Sequence, residues 1–183
     1  MKKSLFTSMA GAAIAITSLS ASAQNPTVGG AAMYSNKTIV ANAVNSPIHK
    51  TLVAAVKAAG LVDTLNSAGP FTVFAPTDDA FAKLPAGTVD TLVMPENKAT
   101  LTKILTYHVV PGKITSKELK SWIKKGHGTY VATTVQGGKL TFTMDGMGIK
   151  VTDEKGGSAM ITTADVMQSN GVIHVIDTVL MPS

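Results

Sequence analysis

Near Thr129 the apolar residues of this chain change their spacing from three and four to two, and that change decides the fold class. Before it, Ile48, Leu52, Val53, Val56 and Ala59 recur at helical intervals. Ser46-Pro47 is placed to open that helix and Gly60 to close it. A shorter helical piece follows around Leu61 to Leu65, and Phe71-Thr72-Val73-Phe74 reads as a strand between Gly69-Pro70 and Pro76. Helical spacing returns at Ala80, Phe81 and Leu84, at Val89–Val93, at Lys98–Thr106, and from Ser116 through Leu119, Trp122 and Ile123 to a stop at Gly126. Beyond Thr129 come short alternating runs: Tyr130–Val135, Leu140–Met144, Ile149–Thr152 and Ala159–Thr162. Gly137-Gly138, Asp145-Gly146 and Gly156-Gly157 separate them as turns. The most continuous apolar run, Val172 to Ile176, closes the pattern. The sum is an α+β domain with a substantial sheet and helices packed on it.

The first 23 residues are excluded from that fold. Lys2 and Lys3, an apolar stretch from about Leu5 to Leu19, and Ala21-Ser22-Ala23 form the three parts of a secretory signal peptide of the bacterial kind, with cleavage expected before Gln24. A membrane anchor needs roughly 20 predominantly apolar residues, and Thr7, Ser8, Thr17 and Ser18 interrupt this stretch. Residues 24–37 are polar and aperiodic and read as a flexible N-terminal arm. The remaining residues, 38–183, suit one domain.

Two absences narrow the chemistry. The chain has no cysteine, which removes disulfides, thiolate nucleophiles and thiol-bound metals. It also has no arginine: all 16 basic residues are lysine, a point charge without the planar fork that grips phosphates and guanine edges. Nucleic acid is therefore not an expected partner. Loss of Lys2 and Lys3 with the leader leaves 14 lysines against 11 carboxylates, a balance of +3.

Three segments carry a family resemblance. Gly69–Phe81 (GPFTVFAPTDDAF) resembles the first signature of fasciclin domains, Thr106–Ile114 (TYHVVPGKI) their tyrosine–histidine motif, and Asn170–Pro182 (NGVIHVIDTVLMP) their C-terminal signature. The resemblance implies a β-sheet wedge with a packed group of helices. It also implies a secreted or surface-attached protein of cell adhesion or matrix contact, present here as one copy.

Most motif residues read as structure. Thr77 and Asp78 are placed to cap the helix after Pro76. Tyr107 and His108 admit a catalytic reading, with Asp78 or Asp177 lending a carboxylate, but the preferred reading is a histidine hydrogen-bonded between motifs. His174 alternates with Ile173 and Val175 and is expected on the less buried face; His49 and His127 are expected to be exposed. Asp165-Val166 resembles the aspartate–isoleucine position that animal members present to integrins, although a turn-forming aspartate before Asn170-Gly171 fits as well. Lys113, Lys117, Lys120, Lys124 and Lys125 are the densest charge, and helical spacing gathers most of them on one flank. That flank is a candidate contact for acidic glycan or anionic lipid heads, or simply a solvated helix face.

The sequence lacks a Gly-x-Ser-x-Gly elbow, a His-Glu-x-x-His helix and a phosphate-binding glycine loop, and its four histidines are too scattered for a zinc signature. No catalytic residue, cofactor or metal ligand is expected. The expected function is a non-enzymatic adhesion or interaction module at the cell surface, in the periplasm or in the matrix, binding protein or acidic glycan. A periplasmic carrier or sensor of a small apolar ligand is the alternative, and a hydrolase built on His108 or His174 comes third.

Overall fold

The computed structural model describes residues 25–183; the leader and its cleavage site lie outside the described residues. The chain begins with a two-stranded ribbon, β1 (Thr27–Val28) and β2 (Ala31–Ala32), followed by helices α1 (Ile39–Asn45), α2 (Lys50–Ala59) and α3 (Val62–Asn66). Strand β3 (Phe71–Pro76) leads to α4 (Asp78–Ala82), α5 (Thr88–Leu92), a single 3-10 turn at Pro95–Asn97 and α6 (Lys98–Tyr107). Then come β4 (Val109–Pro111), α7 (Ser116–Lys125) and the strands β5 (Thr129–Thr133), β6 (Lys139–Asp145), β7 (Gly148–Thr152), β8 (Ser158–Gln168) and β9 (Gly171–Ile176).

The sheet has seven strands in the order β4-β3-β9-β8-β7-β6-β5. Its last five strands form an antiparallel meander, as glycine-rich turns between alternating runs dictate. The pairing of β3 with β9 is parallel and joins the first motif to the last. A hydrogen bond from Val135 N–H, just past β5, to the Val109 carbonyl of β4 at 2.8 Å brings the two outer strands together, so the sheet curls nearly into a barrel. Inside the curl, Phe74, Tyr107, Leu140, Phe142, Val151 and Ile176 pack with Leu119 and Ile123 of α7. On the other face of β3 and β9, Val73, Ala75, Ile173 and Val175 pack against Leu52, Val56, Leu101 and Leu105 of the helical layer.

Three local expectations are corrected. The N-terminal arm is packed: Val28 and Met33 are buried in the helical core. Tyr34 exchanges hydrogen bonds with Asn42, donating N–H to Oδ1 at 3.0 Å and accepting from Nδ2 at 2.7 Å. Ser46-Pro47 ends a helix instead of opening one. Proline disfavours helical geometry at the residue before it, and Ser46 is extended at the C-cap of α1, so α2 starts only at Lys50. The strand expected at Ala159–Thr162 runs on to Gln168 through an irregular register, with Asp165 inside it at φ +58°.

Candidate functional site

The three motif histidine and tyrosine residues, Tyr107, His108 and His174, converge on β3 and its neighbours, and their polar atoms are engaged by backbone. His108 caps α6 and is buried. Leu180 N–H donates to its Nε2 at 3.0 Å, so the proton sits on Nδ1, which donates to the Ile104 carbonyl at 2.8 Å. One neutral ring thus ties the tyrosine–histidine motif to the C-terminal one. Burial holds its pKa down to about 4, against the weaker raising effects of that backbone bond and of Asp153. Neither Asp78 nor Asp177 supplies it with a carboxylate: Asp78 Oδ1 accepts from Thr51 N–H at 2.8 Å, and Asp177 Oδ1 from Met160 N–H at 2.9 Å. Tyr107 donates its hydroxyl to the Lys139 carbonyl at 2.7 Å and accepts from Glu154 N–H at 3.1 Å. Burial pushes its pKa up to about 12.

His174 and His49 correct the sequence expectation, since both are buried. Strand β9 lies inside the sheet with both faces covered, so alternation along it selects between two cores and leaves no wet face. Asp165 N–H donates to His174 Nδ1 at 3.3 Å, and Nε2 donates to the Ile114 carbonyl at 2.7 Å. The ring stacks on Phe74 with 5.5 Å between centroids. His49 Nδ1 pairs with the Ser46 hydroxyl at 2.7 Å while Nε2 faces the Ala75 carbonyl at 3.4 Å. Burial lowers both pKa values. His127 is exposed, as expected.

Thr77 caps α4 by accepting from Ala80 N–H at 3.2 Å, while the Asp78 carboxylate caps the neighbouring α2. Asp165 and Val166 are both engaged within the fold. Val166 is fully buried, and the Asp165 carboxylate accepts from Ser116 N–H at 2.6 Å and from the Ser116 hydroxyl, holding the start of α7. Lys113, Lys117, Lys120, Lys124 and Lys125 are all exposed, opposite the buried Leu119 and Ile123. An open groove of about 480 Å³ lies at Lys113, Thr115, Lys117, Glu118 and Ser121. A second, apolar cavity of about 60 Å³ lies between the helices and the sheet, walled by Met33, Leu52, Val56, Leu105 and Ile173 among others. Among the described residues, no three His, Asp or Glu side chains gather as a metal site, and no helix is long and apolar enough to cross a membrane.

Sequence reasoning missed Asn170, whose Oδ1 accepts from Ile39 N–H at 3.0 Å while Nδ2 donates to the Leu65 and Ser67 carbonyls at 2.6 and 3.1 Å. It also missed the buried pair of Asn42 and Gln168. An asparagine within the apolar stretch Ile39–Val44 was the available signal, because a buried amide needs partners.

The three motifs thus meet around a parallel strand pair in a curled seven-stranded sheet flanked by helices. A model of the fasciclin domain matches residues 47–182. The chain belongs to the fasciclin family. Protein sll1483 of Synechocystis is 48% identical over 169 residues, covering 92% of this chain and 87% of the relative. Immunogenic protein MPB70 of Mycobacterium bovis is 40% identical over 167 residues (87% of this chain, 77% of the relative), and cell surface glycolipoprotein MPB83 of the same species is 37% identical over 166 residues (87% and 68%). The fasciclin fold itself is matched by a FAS1 domain pair from the insect cell adhesion molecule Fasciclin I. The TM-score is 0.70 at 22% identity, over 79% of this chain and 51% of that one, so this chain spans about half of the pair.

Proposed function

We propose that this fasciclin protein is an exported, non-enzymatic binding module that holds a protein or glycan at the cell envelope or on another cell. The observation that carries the reading is where the polar groups of the motifs are spent. Both ring nitrogens of His108 and of His174 bond to backbone, and Thr77, Asp78 and Asp177 serve helix caps and strand ends. A general base needs a ring nitrogen within reach of substrate, and these are buried and occupied. What is left facing solvent is a surface for contact. The names of relatives described as a cell surface glycolipoprotein and as a cell adhesion molecule support the same placement.

The cavity volume favours this module over a carrier of small apolar ligands, since pockets for such ligands run to about 300 Å³ or more and this one offers about 60 Å³. Affinity capture by the tagged protein, residues 24–183, on intact cells tests the proposal, with envelope proteins and glycans both assayed. Saturable retention of a defined protein or glycan is expected. Retention that never saturates and vanishes in moderate salt would count against it.

A further inference from the structure

The net charge of the chain after the leader is +3, yet it is not spread over the surface. Residues 113–125 hold five lysines and one glutamate, whereas the rest of residues 24–183 holds nine lysines and ten carboxylates and is slightly negative. The single glutamate offsets only one of these five charges. Glu118 Oε2 accepts from Thr115 N–H at 2.8 Å and the Thr115 hydroxyl at 3.1 Å, closing a capping box at the start of α7. The nearby Asp165 carboxylate is held by Ser116. Both carboxylates at this end of the helix are thus spent on its amides. Lys117 sits in the first turn, where a positive charge opposes the macrodipole, so the helix gains nothing intrinsic from a cation there.

Lys117, Lys120 and Lys124 fall on one line of the helix. Such neighbours stand about 5–6 Å apart, inside the Debye length of about 8 Å at physiological salt, so they present one field. The opposite face of α7 is already committed, because Leu119 and Ile123 are fully buried in the curled sheet. A helix that binds lipid by lying in the interface must bury its apolar face there, and this one has none to give. Lysine heads make single, adaptable contacts, without the planar fork that arginine offers to carboxylate or phosphate. A row of them suits acidic groups strung along a polymer. Beside the stripe, Trp122 and Tyr130 are half-buried with 4.9 Å between ring centroids, and Ser121 and Thr115 line the open groove. These are platforms and hydroxyls of the kind that sugars contact.

The geometry points to the exposed face of α7, from Lys113 to Lys125, as a binding surface for an acidic polysaccharide. The assignment rests on the reading of the protein as a binding module and names the class of its partner. Trp122 is the only tryptophan in the chain, so its fluorescence reports on this face directly. The test titrates residues 24–183 with polygalacturonate, with neutral dextran and with phosphatidylglycerol vesicles. Saturable binding to polygalacturonate alone, with a Trp122 signal, is expected. Replacing Lys117, Lys120, Lys124 and Lys125 by glutamine should weaken it about tenfold or more, at unchanged melting temperature. Replacing the exposed Lys50, Lys57, Lys139 and Lys155 instead should change it less than about twofold. Equal loss in both sets, vesicle binding as tight as polysaccharide binding, or no binding at low salt would each overturn the assignment. If the α7 variant still captures its envelope partner from cells, the binding module stands and only this surface falls.

Discussion

His108 is neutral because it is buried and its surroundings offer one acceptor and one donor. Its Nε2 must accept from Leu180 N–H, and a second proton there would abolish that bond inside the core. The folded-state pKa of about 4 lies below the usual 6.5. The unfolded chain therefore binds the proton more readily, and stability is complete above about pH 6.5 and falls as the pH drops toward 4. The shift corresponds to about 3 kcal/mol for this one ring. His49 and His174 are shifted in the same direction by burial and add to the acid sensitivity. His108→Gln leaves Leu180 N–H without its ring acceptor and should cost about 1–3 kcal/mol at pH 7.5. The variant no longer carries the proton penalty, so its deficit against the parent should shrink by pH 4.5. Urea midpoints for both proteins across that range check this; a deficit independent of pH would sink it. The sequence made His108 legible as a tie between motifs, since tyrosine–histidine sat between two apolar elements. His49 was not legible, because its contact with Ala75 lies 26 residues away and no local pattern announces it.

At the scale of elements, the parallel pairing of β3 with β9 fixes how the two halves of the domain meet. Phe71 stands opposite Gly171, and a Cβ at Gly171 would lie 1.9 Å from the Phe71 carbonyl oxygen and 2.9 Å from its amide nitrogen. Both atoms belong to backbone that the neighbouring bond from Phe71 N–H to the Asn170 carbonyl holds at 3.0 Å. There is no side chain to swing aside. Gly171→Ala should therefore cost about 3 kcal/mol or more. Gly148→Ala offers the contrast, since its Cβ would meet chiefly the flexible tip of Met160 at 3.1 Å. That change should cost under about 1 kcal/mol. Thermal unfolding of the pair is the measurement, and equal melting temperatures would remove Gly171 as the contact that sets the register. The sequence showed Asn170-Gly171 as a turn and Val172–Ile176 as a buried strand, both of which the fold contains. It could not show that the glycine is needed for the approach of a strand a hundred residues earlier. The irregularity in β8 was hidden for a related reason: Asp165 is a good turn former locally, and its contacts with Ser116 and His174, distant in sequence or across the sheet, hold it within a strand.

For the whole molecule, the question is where the folding unit begins. The match to the family model starts at residue 47, and composition alone made everything before Thr38 look like a loose arm. The packing puts the boundary earlier. Val28, Met33 and Ile39 are buried in the core beneath α2 and α3, although two-residue strands and a short helix carry almost no periodicity by which a sequence could reveal them. Each such side chain stabilises the fold by about 1.5–3 kcal/mol when buried, so together they contribute roughly 5 kcal/mol or more. Their removal also opens the apolar cavity they help to wall and strips partners from Asn170 and Gln168. Domains of this size are stable by only about 5–15 kcal/mol in total. A chain of residues 47–183 should accordingly lose most of its stability, unfold without a sharp transition and bind an apolar dye at neutral pH. Residues 25–183 should unfold cooperatively and leave the dye free. Circular dichroism melts and dye fluorescence on the two chains decide the matter: if they melt together, the N-terminal ribbon and α1 are dispensable and the core beneath them closes without their help.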